Sequence, residues 1–176
     1  MLQKDWSRPV TDSSFFLHDK LEWMERFKID HAVVLNLSQL YGNGLRVEEM
    51  KQALRFQNDF NARIQHENPS KFTCGFVVHP GFVRSACWEI ERCVETHGLQ
   101  LLCLPTHYMD TIGTWRCIFD EENEPIFELA NKYNLAVEIH PYDGEKFIKL
   151  ENISWRFHLI WMLAQCADAY HFLTLN

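Results

Sequence analysis

The sequence has no HxH histidine pair, no HExxH, no GxGxxG, no GKS/T loop and no GxSxG elbow. Dinucleotide binding, phosphate cradling and serine hydrolysis each need their residues at fixed spacing on one turn, so those chemistries lose support. Positive charge is scarce as well. Lys and Arg number 17 against 24 acidic residues, for a formal net charge of −7. No Lys/Arg cluster gathers the few cations, which leaves no electrostatic footprint for a nucleic acid backbone or anionic lipid. The six cysteines (Cys74, Cys87, Cys93, Cys103, Cys117 and Cys166) form no CxxC pair, and a zinc knuckle needs tighter ligand pairing than that. With no secretory leader at Met1-Leu2-Gln3-Lys4, they suggest reduced thiols and a cytoplasmic protein. The longest aromatic and apolar stretch, WRFHLIWMLAQCADAYHFLTL, is broken by Arg156, His158, Gln165 and Asp168. A membrane span wants about 20 predominantly apolar residues, so this stretch predicts a buried or interface helix and no membrane partner.

What is present is a folded chain: 176 residues, 47% of them hydrophobic, suffice for one domain with its own core. Residues 1–18 carry a proline and neither helical nor strand period, and are expected to form an arm, with residues 19–176 as the domain. Leu21, Met24 and Phe27 recur at helical spacing behind Asp19 as a cap, and predict a helix to about Lys28. HAVVLNLS predicts a strand, followed by the turn YGNG. Next comes a helix in which Met50, Ala53, Phe56, Phe60 and Ile64 fall on one side, the apolar face. FTCGFVVHP predicts the next strand, and after it a helix with Ala86, Ile90, Cys93, Val94 and His97 inward and Gly98 as its stop. LQLLCLP predicts a third strand. A loop with Gly113 and Trp115 leads to a helix with Pro125 near its start and Asn134 at its close, then to LAVEIHP as the fourth strand. A last helix is expected from about Ser154 to His171. Strands that are near-continuous apolar runs alternating with helices predict an α/β fold with a parallel sheet covered by helices.

The strands end on polar groups: Asn36 and Ser38, His79, Thr106 with His107, and His140. Reactive groups gather at the carboxyl ends of parallel strands because the loops there form the open face of a packed core. His79 and His107 can equally bond a loop carbonyl. His140 stands out, because a strand period of two puts it on one face with Glu138 and Ala136 while Val137 and Ile139 point away. Glu138 on an inward face needs a cation or an Arg, and a structural ion pair would meet that need too. Asp110 and Asp143, in loops after two strands, can join a metal or proton-transfer site or simply make turns.

The order LEWMERFKIDHAVVLNLS, FQNDFNARIQHENPSKFTCGFVVHP, ACWEIERCVETHGLQLLCLPTH and EPIFELANKYNLAVEIHPYD resembles the amidohydrolase-related branch of metal-dependent TIM-barrel enzymes. That branch includes aminocarboxymuconate semialdehyde decarboxylase and the dihydroxybenzoate-type decarboxylases. The resemblance runs from about Asp19 onward. It implies a distorted (β/α)8 barrel with a divalent metal, usually zinc, bound by an HxH pair on the first strand, a His on the strand matching LAVEIHP and an Asp after the last strand. It makes His140 the metal ligand, and the TH of LPTH a pocket-lining pair, Thr106 and His107. His107 and Asp143 become the candidate proton carriers, and His79, Thr106 and Glu138 the candidate substrate contacts. The expected activity is hydrolysis or non-oxidative decarboxylation of small carboxylated organic acids. The strands present match the second to fifth of such a barrel, so a partial (β/α)8 barrel is expected. On that reading the chain alone would be inactive, and a partner chain or a homo-oligomer would complete the barrel. The alternatives are a non-catalytic binding or assembly subunit built from part of the barrel, and an independent small α/β domain with a flat open sheet.

Overall fold

A computed structural model describes residues 16–141 together with 166 and 167. Its elements follow the chain as α1 (Leu17–Arg26), β1 (Ala32–Val34), α2 (Val47–Glu67), β2 (Phe72–Val77), α3 (Val83–His97), β3 (Leu101–Pro105), β4 (His107–Met109), β5 (Trp115–Cys117), α4 (Glu124–Lys132) and β6 (Ala136–His140). Asp143 and the final helix expected near Ser154–His171 lie outside the described residues, except that 166 and 167 are helical. Residues 1–15 of the expected arm also lie outside them. No helix among the described residues is long and apolar enough to cross a membrane.

The stop signals act as expected. Gly98 ends α3 with φ 66°, and Asn134, past the end of α4, takes φ 51°. Both conformations are left-handed, where glycine is free of strain and asparagine tolerates it.

Four strands form one sheet in the order β1-β2-β3-β6, and every pair is parallel. Spatial order follows chain order without reversal. A doubly wound sheet reverses direction at its switch point. This sheet is therefore a segment of a barrel wall, as the parallel pattern and the resemblance imply. Its outer face carries Cys74, Phe76, Leu102 and Leu104, which are buried against Ile90 and Cys93 of α3 and Ile126 and Ala130 of α4. Removing such side chains from water drives the helices onto the sheet, at about 25 cal/mol per Å² of apolar surface.

The pairing register sorts the inner face into levels. Gly75, Leu101 and Ala136 align, as do Val77, Cys103 and Glu138. Two residues further on, Pro105 aligns with His140. Inner levels of this kind are how a barrel interior is filled. Here Val77 and Cys103 pack with Tyr41, Met50 and Leu54. Gly75 has no side chain because Cys103 Sγ occupies the place a Cβ would take.

Asp19, expected to cap the first helix, lies inside the first turn of α1, whose N-cap is Phe16. Two further elements differ from expectation. On α2 the buried residues are Met50, Leu54, Asn58, Asn61 and Ala62, while Phe56 is 73% and Phe60 41% exposed. The cause lies in β1, which pairs with β2 only along Phe72–Cys74. Beyond that point the β2 backbone would be buried unpaired, which proteins avoid. Side chains of α2 replace the missing strand. Asn61 Nδ2 donates to Gly75 O at 2.7 Å, and Asn58 both accepts from Val77 N at 2.9 Å and donates to Val77 O at 3.0 Å. One turn further along, Gln65 Oε1 accepts from Cys74 N at 2.7 Å. The amide stripe therefore faces in, and the phenylalanines face out.

The second difference is the region expected to be a loop around Gly113 and Trp115, which is a hairpin of β4 and β5. Asp110 builds its turn, accepting from Ile112 N at 3.0 Å and Thr114 N at 2.8 Å, with Arg116 Nε 3.2 Å from its other oxygen. Of the two roles open to Asp110, the structure shows the turn.

Candidate active site at the carboxyl ends of the strands

β3 and β6 stay paired to their last residues, and one step beyond, Thr106 N donates to His140 O at 2.9 Å. This places His140 beside Thr106 at the mouth of the sheet. The His140 ring comes within 2.6 Å of its neighbour's carbonyl, Nδ1 to Pro141 O. A carbonyl only accepts, so Nδ1 carries the proton and the lone pair sits on Nε2. Such backbone contacts fix the tautomer of histidines that ligate metals or exchange protons.

Glu138 lies one level below on the same face, half-buried, facing no Arg among the described residues. Burial pushes its carboxyl up, and the nearby His140, the Cys103 thiol and the Tyr41 hydroxyl pull the other way without cancelling the rise. Among the described residues its Oε2 has no hydrogen-bond partner, and neither does Tyr41 Oη. Tyr41 is 1% exposed. Burial, then the neighbouring Cys103 and Glu138, push its hydroxyl strongly up. The acid anticipated to need a cation or an Arg instead lies beside a phenol, a thiol and the His140 imidazole.

His79, at the end of β2, is buried, and both of its nitrogens are engaged. Gly81 N donates to Nδ1 at 3.1 Å, so the ring proton is on Nε2, which lies 3.0 Å from Asn43 Oδ1. Burial lowers its pKa to about 4, so the ring is neutral at neutral pH. That geometry gives His79 a positioning part and leaves neither nitrogen open to a substrate. Thr106 is fully buried, and its carbonyl accepts from Ile118 N at 3.0 Å. His107, half-buried, opens β4 opposite Cys117. The structure thus brings Thr106, Glu138 and His140 together on adjacent strands, sets His79 at the end of β2 and puts His107 on the hairpin. Sequence reasoning passed over Tyr41 and Asn43. The available signal was YGNG, with polar groups between glycines in the first turn after a strand; Gly42 and Gly44 both adopt positive φ, 88° and 79°.

A cavity of about 320 Å³ lies between α2 and α3, lined by Met50, Leu54, Trp88 and Arg92 together with Val78 and His79.

No family model matches the chain. Over 143 residues it is 22% identical to a 2-amino-3-carboxymuconate-6-semialdehyde decarboxylase of Dictyostelium discoideum, covering 81% of this chain and 38% of that protein. Its fold matches a 2,6-dihydroxybenzoate decarboxylase from Rhizobium with a TM-score of 0.69 at 15% identity, over 81% of this chain and 43% of that one. It also matches a 5-carboxyvanillate decarboxylase from Novosphingobium aromaticivorans, in complex with manganese and 4-hydroxy-3-methoxy-5-nitrobenzoic acid. That TM-score is 0.67 at 19% identity, over 82% of this chain and 38% of that one. The described residues share their fold with part of each of these two decarboxylase structures. The chain spans less than half the length of each of these three proteins.

Among the described residues, no group of three His, Cys, Asp or Glu side chains is placed to hold a metal ion. A catalytic zinc takes three protein ligands and keeps a fourth position open. The described residues offer one prepared imidazole, His140, and do not by themselves fit such a centre.

Proposed function

We propose that the chain carries the His140 side of an active site for non-oxidative decarboxylation of small hydroxylated or unsaturated carboxylic acids. The observation that carries this reading is the His140 imidazole, held at the mouth of parallel strands with its Nε2 lone pair free by the contact to Pro141. The three similar proteins named above are decarboxylases, which supports this reading. His140 Nε2 would be one ligand of a divalent cation, manganese or zinc, whose other ligands would have to come from outside the described residues. Loss of carbon dioxide leaves an electron pair on carbon that must take a proton, and a positioned acid supplies it. His107 and Asp143 are assigned that part, with Thr106 and Glu138 shaping the acid's site. A reducing compartment such as the cytoplasm would suit a chain with six cysteines and no CxxC pair.

Titrating Mn²⁺ into the chain should broaden the His140 ring resonances in proton NMR, since a paramagnetic ion relaxes nuclei close to it. His140→Ala should weaken Mn²⁺ binding at least about tenfold, since losing even an outer-shell partner of a ligand costs that much. Equal affinity in the variant would remove His140 from the metal.

A second reading, assembly through the sheet edge, is favoured by β1. Its outer edge has no strand partner among the described residues, and Val33 and Leu35 are exposed beside it. Unpaired edges invite association with another chain, whether a second copy or a partner that extends the wall. Sedimentation should then show a concentration-dependent dimer that Val33→Lys returns to monomer. A monomer at every concentration would exclude self-association.

A further inference from the structure

The cavity between α2 and α3, at about 320 Å³, falls at the small end of the roughly 300–1,000 Å³ range of small-molecule pockets. Thr106, Glu138 and His140 are not among the residues that line it, so an occupant would not touch them. Met50 and Leu54 of α2 give it a buried apolar wall. Trp88 of α3 lines the same space yet is 60% exposed. An indole left in water at an opening is surface that an occupant would cover, and Trp is a residue type that dominates such contacts.

Lys51 and Arg55 line the cavity from α2. They stand four residues apart, side by side on one helix face, where like charges repel. Neither is held in a strong pair. Arg55 forms no ion pair or hydrogen bond among the described residues, and Lys51 lies 3.0 Å from Glu48 Oε1 in an exposed pair of a kind that contributes little. The acid in the lining, Glu89, does not offset them. Arg92 Nε lies 2.9 Å from its Oε2 and Arg92 Nη2 2.7 Å from its Oε1, so this acid and this guanidinium neutralise each other. Arg84 places one more cation 4.8 Å from the centre of the Trp88 ring. In a chain of net charge −7, cations that are scattered along the sequence meet at one opening. A cleft with apolar walls and charge of one sign focuses its field on a ligand of the other sign.

We propose that this cavity binds a small organic anion with a flat apolar body, its acid group between Lys51 and Arg55 and its ring against Met50, Leu54 and Trp88. The Ser85 hydroxyl, on the α3 wall, adds a donor for the acid group. A wholly apolar occupant would leave the two cations without a counter-charge, and an inorganic anion would leave the indole and the thioether wet. An aromatic acid answers both demands, since a methionine sulfur also packs well against a ring. The proposal does not depend on the mouth of the strands binding an acid.

The test uses the full ¹⁵N-labelled chain and sodium 2-naphthoate, with sodium chloride as control. The Trp88 indole N–H resonance is assigned by its disappearance in Trp88→Phe, and it should shift on titration and saturate. The double variant Lys51→Gln, Arg55→Gln should weaken 2-naphthoate binding at least about tenfold, the loss expected for one hydrogen bond to a charged group. Both positions are exposed, so the variant should keep its fold. The uncharged 2-naphthamide, of the same shape, should bind at least about tenfold more weakly than the acid. Equal binding of acid and amide, or an unchanged affinity in the double variant, would overturn the anion site. A Trp88 resonance that stays still up to the solubility limit would overturn it as well, and a shift of the His140 ring in that same titration would place the acid at the mouth instead.

Discussion

Asn58→Leu should lower the stability of the chain by about 4 kcal/mol, because it strands two buried backbone groups at once, each worth roughly 1–3 kcal/mol when unpaired. Asn58 is fully buried and serves both Val77 N and Val77 O. It also donates to Glu89 Oε1 at 2.8 Å. Leucine fills similar space, so the loss would report polar groups left unpaired and not a cavity. Urea unfolding midpoints measure it. Asn58→Asp provides a control of chemistry: it keeps the acceptor for Val77 N but sets a carboxylate against Val77 O and Glu89. It should therefore be at least as damaging at neutral pH and recover when the carboxylate is protonated. Phe56→Gln on the outward side of α2 should change stability by no more than about 0.5 kcal/mol, as surface substitutions usually do. A small loss for Asn58→Leu together with a large one for Phe56→Gln would mean that the helix is turned the other way.

A second large effect concerns acid. Folded His79 has a pKa of about 4, whereas an unfolded histidine titrates near 6.5. Between those values the unfolded chain binds a proton that the folded chain refuses. Stability from this group is therefore complete above about pH 6.5 and drains away as the pH falls toward 4, by about 3 kcal/mol in all. His79→Gln, which cannot titrate and keeps a donor toward Asn43, should flatten that part of the profile. Unfolding midpoints at several pH values between 7 and 4 decide the matter. Parallel slopes in the wild type and the variant would show that His79 is not the group responsible.

Below that window a separate loss sets in. Burial pushes the Glu89 carboxyl up, but the Arg92 guanidinium and the Asn58 amide overcome it and leave it below the ordinary carboxylate range. Arg92 Nη2 lies 2.7 Å from Glu89 Oε1, and Arg92 Nη1 lies 2.6 Å from Asp59 Oδ1. His97, expected on the inner side of α3, joins this cluster at 3.1 Å from Asp59. A carboxylate depressed in this way supports the fold above its unfolded pKa and ceases to do so as the pH falls through its folded one. The Glu89 cluster should thus add its own loss of stability at the acid end of the His79 window and below it.

Local rules settled much of this protein. The apolar runs around Phe76, Leu102 and Ile139 predicted strands and form them, Gly98 and Asn134 mark real helix ends, and a strand period of two was enough to put Glu138 and His140 on one face. Each of these depends on a residue's own chain neighbours, so each could be read before any fold was known. The face that α2 turns inward, the Asp110 hairpin, the single tautomer of His79 and the meeting of Lys51 and Arg55 with Trp88 depended on tertiary structure. Helical periodicity assumes that the core-facing side is the oily one. At α2 the deciding demand came from the backbone of β2, left unpaired where β1 stops short, and that demand exists only once the strands have found their register.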